Sequence, residues 1–180
     1  MIKPISNIFE LDKIIRKYLI SQSELDPRKV INSLSVRGPE LQVLVEKNTY
    51  VSPDLNTTIL IFENTNNDTN NNVSVPEEDG TFSIYQSFSC KIILYGNYSK
   101  TLGLILKSRM ESEVIRQNLF DEGINIEKVT SPVSLNEFKN ETVWIRTDLS
   151  IEYSCRMSVQ PVNELNEMDN ISEIKIIKEE

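Results

Sequence analysis

The run TVWIRTDLSIEYSCRMSV, residues 142–159, decides the fold. Val143, Ile145, Leu149, Ile151, Tyr153, Cys155, Met157 and Val159 occupy one set of alternate positions. Trp144, Arg146, Asp148, Ser150, Glu152, Ser154, Arg156 and Ser158 occupy the other. Successive side chains of a strand point to opposite faces, so this alternation predicts one long strand with an apolar and a polar face. Residues 82–95, FSIYQSFSCKIILY, repeat the pattern with Phe82, Ile84, Phe88, Cys90, Ile92 and Leu94 against Ser83, Tyr85, Ser87, Ser89 and Lys91. A sheet covered on one side fits both runs. Each exceeds ordinary strand length, so each is expected to bend, bulge or project beyond the domain body.

Between the two runs lies a helical block. Ser99 is placed to cap a helix carrying Leu102, Ile105, Leu106 and Met110, and Glu113 to Phe120 continues or restarts it. Gly123 supplies the stop, Ile124 to Val129 reads as a short strand, and Leu135 to Asn140 reads as a connector after Ser131-Pro132. Toward the N-terminus, Ile8, Leu11, Ile15, Tyr18 and Leu19 recur at three- and four-residue steps, predicting a helix over about Ile8 to Ser21 capped by Ser6 or Asn7. Asp26-Pro27 resembles a cap followed by proline at the first helical position, and predicts a short helix through about Leu34. Leu41 to Glu46 and Asn56 to Glu63 read as strands.

The stretch from residue 64 to 80 differs in kind. It holds Asn64, Asn66, Asn67, Asn70, Asn71 and Asn72 and ends in Glu77-Glu78-Asp79-Gly80. Burial of so polar a segment does not offset its ordering entropy, so a mobile loop or hairpin tip is expected. Beyond Pro161 the periodicity stops, and Ile174, Ile176 and Ile177 form the last apolar cluster. Residues 1–160 are therefore read as one domain and 161–180 as a C-terminal arm. The fold class is α/β (α+β): a mixed, mainly antiparallel sheet flanked by helices.

Composition narrows the chemistry. There is no histidine among the 180 residues, which removes the commonest general base and metal ligand. The glycines form no phosphate-cradling loop, and Cys90 and Cys155 in separate strands make no zinc site. Two isolated cysteines read as small buried hydrophobes in a reducing compartment rather than as a disulfide. Glu77-Glu78-Asp79 lacks the alternating spacing of a calcium loop, and Asp148 with Glu152 reads as a solvated sheet face offset by Arg146 and Arg156. No catalytic, cofactor-binding or metal-binding residue is expected, and no cofactor. The net charge of −8 disfavours a reader of nucleic acid, since phosphate neutralisation supplies much of that affinity. No secretory leader or membrane-spanning run is read in the sequence.

Contacts with other protein chains are the remaining expectation. Asn66, Asn70 and Glu77 in the polar loop, Tyr85, Trp144, Arg146 and Arg156 on the polar strand faces, and Ile174 and Ile176 in the arm are the candidate contact residues. Trp, Tyr and Arg are favoured at interface centres. The aromatics on the polar faces, Trp144 above all, fit either a contact surface or a position beneath a helix.

One order of elements carries a resemblance. Ile93-Leu94-Tyr95-Gly96 runs into the helix with Leu102, Leu106 and Arg109, then into Glu113 to Phe120 and the turn Glu122-Gly123-Ile124. A proline-containing connector leads to a strand in which Arg146 and Asp148 precede Ile151 and Tyr153. This resembles the phage neck terminator family, similar in turn to the tail terminators of long-tailed phages, and it covers the chain to about Val159. The resemblance implies a structural virion protein in a homo-oligomeric ring, usually of six copies, which caps the tail tube, ends its polymerisation and joins tail to head connector. It also implies partners in the tube and neck, assembly in the bacterial host cytoplasm, and DNA passing through the lumen without specific binding. Another head-to-tail joining or tube protein, or a small metal-dependent nuclease, is the alternative.

Overall fold

The computed structural model describes residues 4–33, 58–67, 74–76, 82–139 and 142–159. The expected strand at 41–46 and the arm at 161–180 lie outside these residues, as do Asn70, Glu77, Ile174 and Ile176.

Two long strands make the spine. Strand β4 (Phe82–Tyr95) pairs antiparallel with β7 (Thr142–Val159) from Phe82 opposite Val159 to Tyr95 opposite Arg146. Each is flanked on its outer side by shorter strands. Strand β2 (Ile59–Asn66) and strand β3 (Ser74–Pro76) pair with β4, while β5 (Ile124–Val129) and β6 (Val133–Lys139) pair with β7. All of these pairings are antiparallel. Strand β1 (Val30–Asn32) adds the one parallel pairing among the described strands, against β2. The sheet is thus mixed and mostly antiparallel, as expected. Ile5 extends the outer side of β7 by a parallel bridge to Met157.

Helices cover one face. Helix α1 (Ile8–Ser23) starts where the Asn7 side chain accepts a hydrogen bond from Glu10 N–H at 3.0 Å, while the Glu10 carboxylate accepts one from Ser6 N–H at 2.7 Å. Its stripe of Leu11, Ile15, Tyr18 and Leu19 is buried against the sheet. Helix α2 (Ser99–Met110) buries Leu102, Leu106 and Met110, and α3 (Glu113–Asp121) buries Leu119. The main core joins these to Phe62, Phe88, Ile92, Leu94, Ile151 and Tyr153. Burying each such aliphatic side chain contributes about 1.5–3 kcal/mol. Cys90 and Cys155 are free thiols within this core, and burial raises the Cys90 thiol above its ordinary pKa.

Glycine decides two details. Gly123 takes φ 87 after α3, the left-handed stop expected there, and Gly96 takes φ 125 where β4 turns toward α2. Gly103 has no such backbone demand. A Cβ on it would stand 3.1 Å from both Pro132 Cβ and Thr147 Cγ2, so its bareness lets α2 lie close on β7.

Four expectations need correction. The stretch after Asp26-Pro27 is one 3-10 turn (Pro27–Lys29) and then strand β1, because Val30 and Ile31 are β-branched and buried beside β2. Strand β2 runs on through Asn66, and Ser74–Pro76 is a strand, so the polar segment is partly sheet. The stretch read as a connector from Leu135 to Asn140 lies, through Lys139, in strand β6, which begins at Val133. Finally, Ser99 makes no cap bond; it is buried, with Oγ 3.1 Å from Thr147 Oγ1.

Candidate interaction surfaces

The two faces of the sheet differ along its length. On the outer face, away from the helices, Ser87, Ser89, Lys91, Ser150, Glu152 and Ser154 make the middle polar. At the end where β2 begins, the same face carries a second small core of Ile31, Ile59, Ile61, Tyr95 and Trp144. Trp144 is 4% exposed there, edge-on to Tyr95 with ring centroids 5.9 Å apart. Of the two readings left open for Trp144, a contact surface or a place beneath a helix, the burial is of the second kind, but its cover is Ile31, Ile59, Ile61 and Tyr95 rather than a helix. Alternation marks which residues share its face, but the packing of Ile59, Ile61 and Tyr95 makes that part of the face apolar.

Arg146 borders this cluster. It stands opposite Tyr95 in the ladder, with the guanidinium carbon 5.9 Å from the ring centroid. Its Nε and Nη2 each donate to an Asp148 carboxylate oxygen at 2.6 Å, and Nη1 donates to Glu137. Residues two apart on a strand share a face, which is why the Arg146-Thr147-Asp148 step of the sequence closes into a bidentate pair. The bond to Asp148, and after it the bond to Glu137, hold the guanidinium protonated beyond its ordinary range. Tyr95 donates to Glu137 at 3.3 Å, and burial followed by the Glu137 charge raises its hydroxyl pKa. Arg146 thus works inside the fold, fixing β6 to β7 and β4.

A second polar link was not anticipated. Asp12 on α1 accepts from Asn32 at 2.7 Å and from Asn64 at 2.6 Å, and Asn64 accepts from the Tyr153 hydroxyl at 2.9 Å. This chain ties α1 to β1, β2 and β7 through the core. Asn64 is 8% exposed, so the first residue assigned to the polar loop is a core strand residue. The signal that it belongs inside, an Asn following Ile59 to Phe62 at strand spacing, is visible but swamped by the asparagines after it. Tyr153 is held neutral above its ordinary range, first by burial.

Exposed apolar side chains gather at the two ends of β7. Near its start, Val133 and Leu135 on β6 are 55% and 43% exposed, and Val143 and Ile145 are 55% and 37% exposed. The register places Val133 and Leu135 on the outer face with Asp148 and Arg146, and Val143 and Ile145 on the helix-side face with Thr147. Strands β6 and β7 therefore carry exposed apolar side chains on both faces. Val143 and Ile145 were expected in the core; the helical layer stops short of them, with Gly103 of α2 already seated over Thr147. At the other end, a groove of about 320 Å³ on the outer face is lined by Tyr85, Phe120, Gly123, Asn125, Ser154 and Arg156. Tyr85 and Arg156 are paired in the ladder, and Arg156 Nε donates to Ser83 Oγ at 2.8 Å. Phe120 and Phe82 are about half exposed nearby. Asn66, at the far end of β2, is exposed opposite Phe88.

The candidate contact residues thus scatter: Tyr85 and Arg156 share the groove, Trp144 and Arg146 belong to the second core and its border, and Asn66 stands apart. Among the described residues no three of Cys, Asp or Glu gather as metal ligands. No described helix is long and apolar enough to cross a membrane. Charge is unevenly divided: the described residues hold 14 Lys/Arg and 13 Asp/Glu, the remainder 5 and 14, so the acidity lies almost wholly outside the described body.

No curated protein matches the chain. A family model described as phage neck terminator protein matches residues 10–180, through the asparagine-rich segment and on to the last residue, further than the resemblance that ended near Val159. With this order of helices and strands matched over nearly its whole length, the chain belongs to the phage neck terminator family, a family of structural phage proteins.

Proposed function

We propose that the protein assembles with copies of itself into a ring, of six subunits, at the junction of phage tail and neck. The ring caps the finished tail tube, ends its polymerisation and joins it to the head connector. Tube and connector proteins are its partners, and it acts in the virion without catalysing a reaction. The observation that carries this reading is the membership in the neck terminator family together with apolar surface left uncovered at both ends of the sheet. Exposed apolar clusters on a soluble domain mark contacts with other proteins.

The partition of charge supports the passage of DNA without capture. A body with nearly equal cations and anions offers duplex phosphates little net attraction. The residues that follow the buried Asn64, up to residue 80, and those at 161–180 add to this reading as the acidic contact segments, with Ile174 and Ile176 to extend a neighbour's sheet edge. Negative-stain microscopy of the purified protein, alone and mixed with tail tubes, tests the proposal. Rings and capped tubes are the expected images. A protein that stays monomeric at high concentration and leaves tube ends open sinks it.

A further inference from the structure

The exposed aromatic side chains of the described residues stand around one end of the fold, where β7 finishes. Phe82 lies opposite Val159, the last residue of that strand, and Tyr85 lies opposite Arg156. Phe120 lines the groove together with Tyr85. Phe9 comes one turn after Ile5, whose N–H donates to the Arg156 carbonyl at 2.7 Å and whose carbonyl accepts from Ser158 N–H at 2.8 Å. These four rings are 47–73% exposed, which leaves on the order of 400 Å² of aromatic surface in water. At the opposite end of β7 the exposed apolar side chains are aliphatic: Val133, Leu135, Val143 and Ile145. Aromatic side chains are enriched where surfaces meet. Residues 160–180 continue the chain from this aromatic end.

We propose that residues 162–171 of the same chain seat on this aromatic end. The segment lies outside the described residues; its sequence and its point of departure carry the inference. Val162, Leu165, Met168 and Ile171 recur at every third residue, and each is followed by two polar residues. Aliphatic side chains so spaced in a polar stretch cannot build a core of their own, and only a neighbouring surface offsets the entropy of ordering them. Pro161 has no N–H to give a ladder, so the segment cannot simply prolong β7. Reach is ample. At about 3.4 Å per residue, Val162 lies within about 10 Å of Val159 and Ile171 within about 40 Å, while the Tyr85–Arg156 pair is about 10 Å back along the strand. A tether this short holds the segment at an effective concentration on the order of mM, which favours it over a second copy or another protein in dilute solution. The groove of about 320 Å³ beside Tyr85 and Phe120 gives an aliphatic side chain a place to enter. The seat itself belongs to the single chain. Its use rests on the ring reading: it fixes the root of the arm, so that Ile174 and Ile176 leave from a defined place toward a neighbour's edge.

Cross-linking of the full chain tests this. A photo-cross-linking residue replaces the exposed Tyr85, half of the chains are labelled with heavy nitrogen, and the mixture is irradiated dilute. Position 85 is expected to link to residues 162–171, both peptides of each link carrying the same isotope. Links between differently labelled peptides, same-chain links that miss 162–171, or no links overturn the seat. A second variant, Leu165→Asp with Met168→Asp, leaves every described residue unaltered. Hydroxyl-radical footprinting should then show the oxidation of Phe82, Tyr85 and Phe120 rising several-fold, with Val133 and Leu135 at the other end unchanged. Equal oxidation of the three rings in the variant and the unaltered chain also overturns the proposal. Same-chain links in a protein that stays monomeric at high concentration uphold the seat and refute the ring; rings without such links do the reverse.

Discussion

Replacing Arg146 by methionine isolates what the Arg-x-Asp step does. The substitution keeps an unbranched apolar side chain at this position and removes the guanidinium from Tyr95, Asp148 and Glu137. The Arg146 side chain is only 16% exposed and the carboxylates 20% and 32%, so solvent screens the cluster incompletely. Removing one member of a fully buried pair costs about 3–5 kcal/mol, because the remaining charge is stranded. Partial access of water to the carboxylates lowers that, and we expect about 3 kcal/mol. For a chain of this size each kcal/mol moves the midpoint by about 2–4 °C, so thermal unfolding should shift down by roughly 6–12 °C. Because Arg146 is held protonated more firmly in the fold than when unfolded, its contribution is complete at any pH below the ordinary arginine range. Repeating the melt at pH 7 and pH 9 should therefore give the same loss. Adding Asp148→Asn and Glu137→Gln removes the stranded charges and should recover more than half of it. A loss under about 0.5 kcal/mol, as for an ordinary surface pair, would refute the reasoning. So would a double-mutant cycle with no coupling between Arg146 and Asp148.

Four further expectations follow. Gly103→Leu should destabilise by about 1–3 kcal/mol in denaturant titration, since its side chain meets Pro132 and Thr147 at once and α2 must lift from β7. Glu24→Gly should stabilise by about 0.5–1 kcal/mol, because Glu24 holds φ 59 at the end of α1 and its ion pair with Arg109 is largely exposed. Burial and the Glu122 carboxylate push Tyr18 up to about 12 from its ordinary 10.0, and burial raises Tyr95 and Tyr153 too. These raised groups contribute stability that is complete below about pH 10 and lost as pH rises through their folded values, so Tyr18→Phe should flatten the loss between pH 10 and 12 in chemical denaturation. Deleting residues 162–180 should reduce the assembly measured by light scattering, and an unchanged mass would show those residues dispensable for it.

The family was legible before any coordinates, because Tyr95-Gly96, Arg109, Gly123 and Arg146-Thr147-Asp148 stand in a fixed order that needs no contact to recognise. The structure gives each a local task. Gly96 and Gly123 take positive φ, Arg109 donates to Gln22 and Glu24 at the end of α1, and Arg146 grips Asp148. Asn64 was less legible. Its neighbours Asn66 and Asn67 made it look like loop, and only the meeting of Asp12 with Tyr153 across the core gives its amide two partners.

The sequence by itself determined the two long strands, the stripe of α1 and the stop at Gly123, since each depends on spacing or backbone freedom along a few consecutive residues. Tertiary structure decided what lies over each face. Period two states which side chains share a side of a strand, not where a covering layer begins and ends. Val143 and Ile145 share their side with Leu149 and Ile151, yet the helices reach only the latter pair. Trp144 sits among the polar alternates and is buried all the same, because Ile59, Ile61 and Tyr95 arrive beside it from distant parts of the chain.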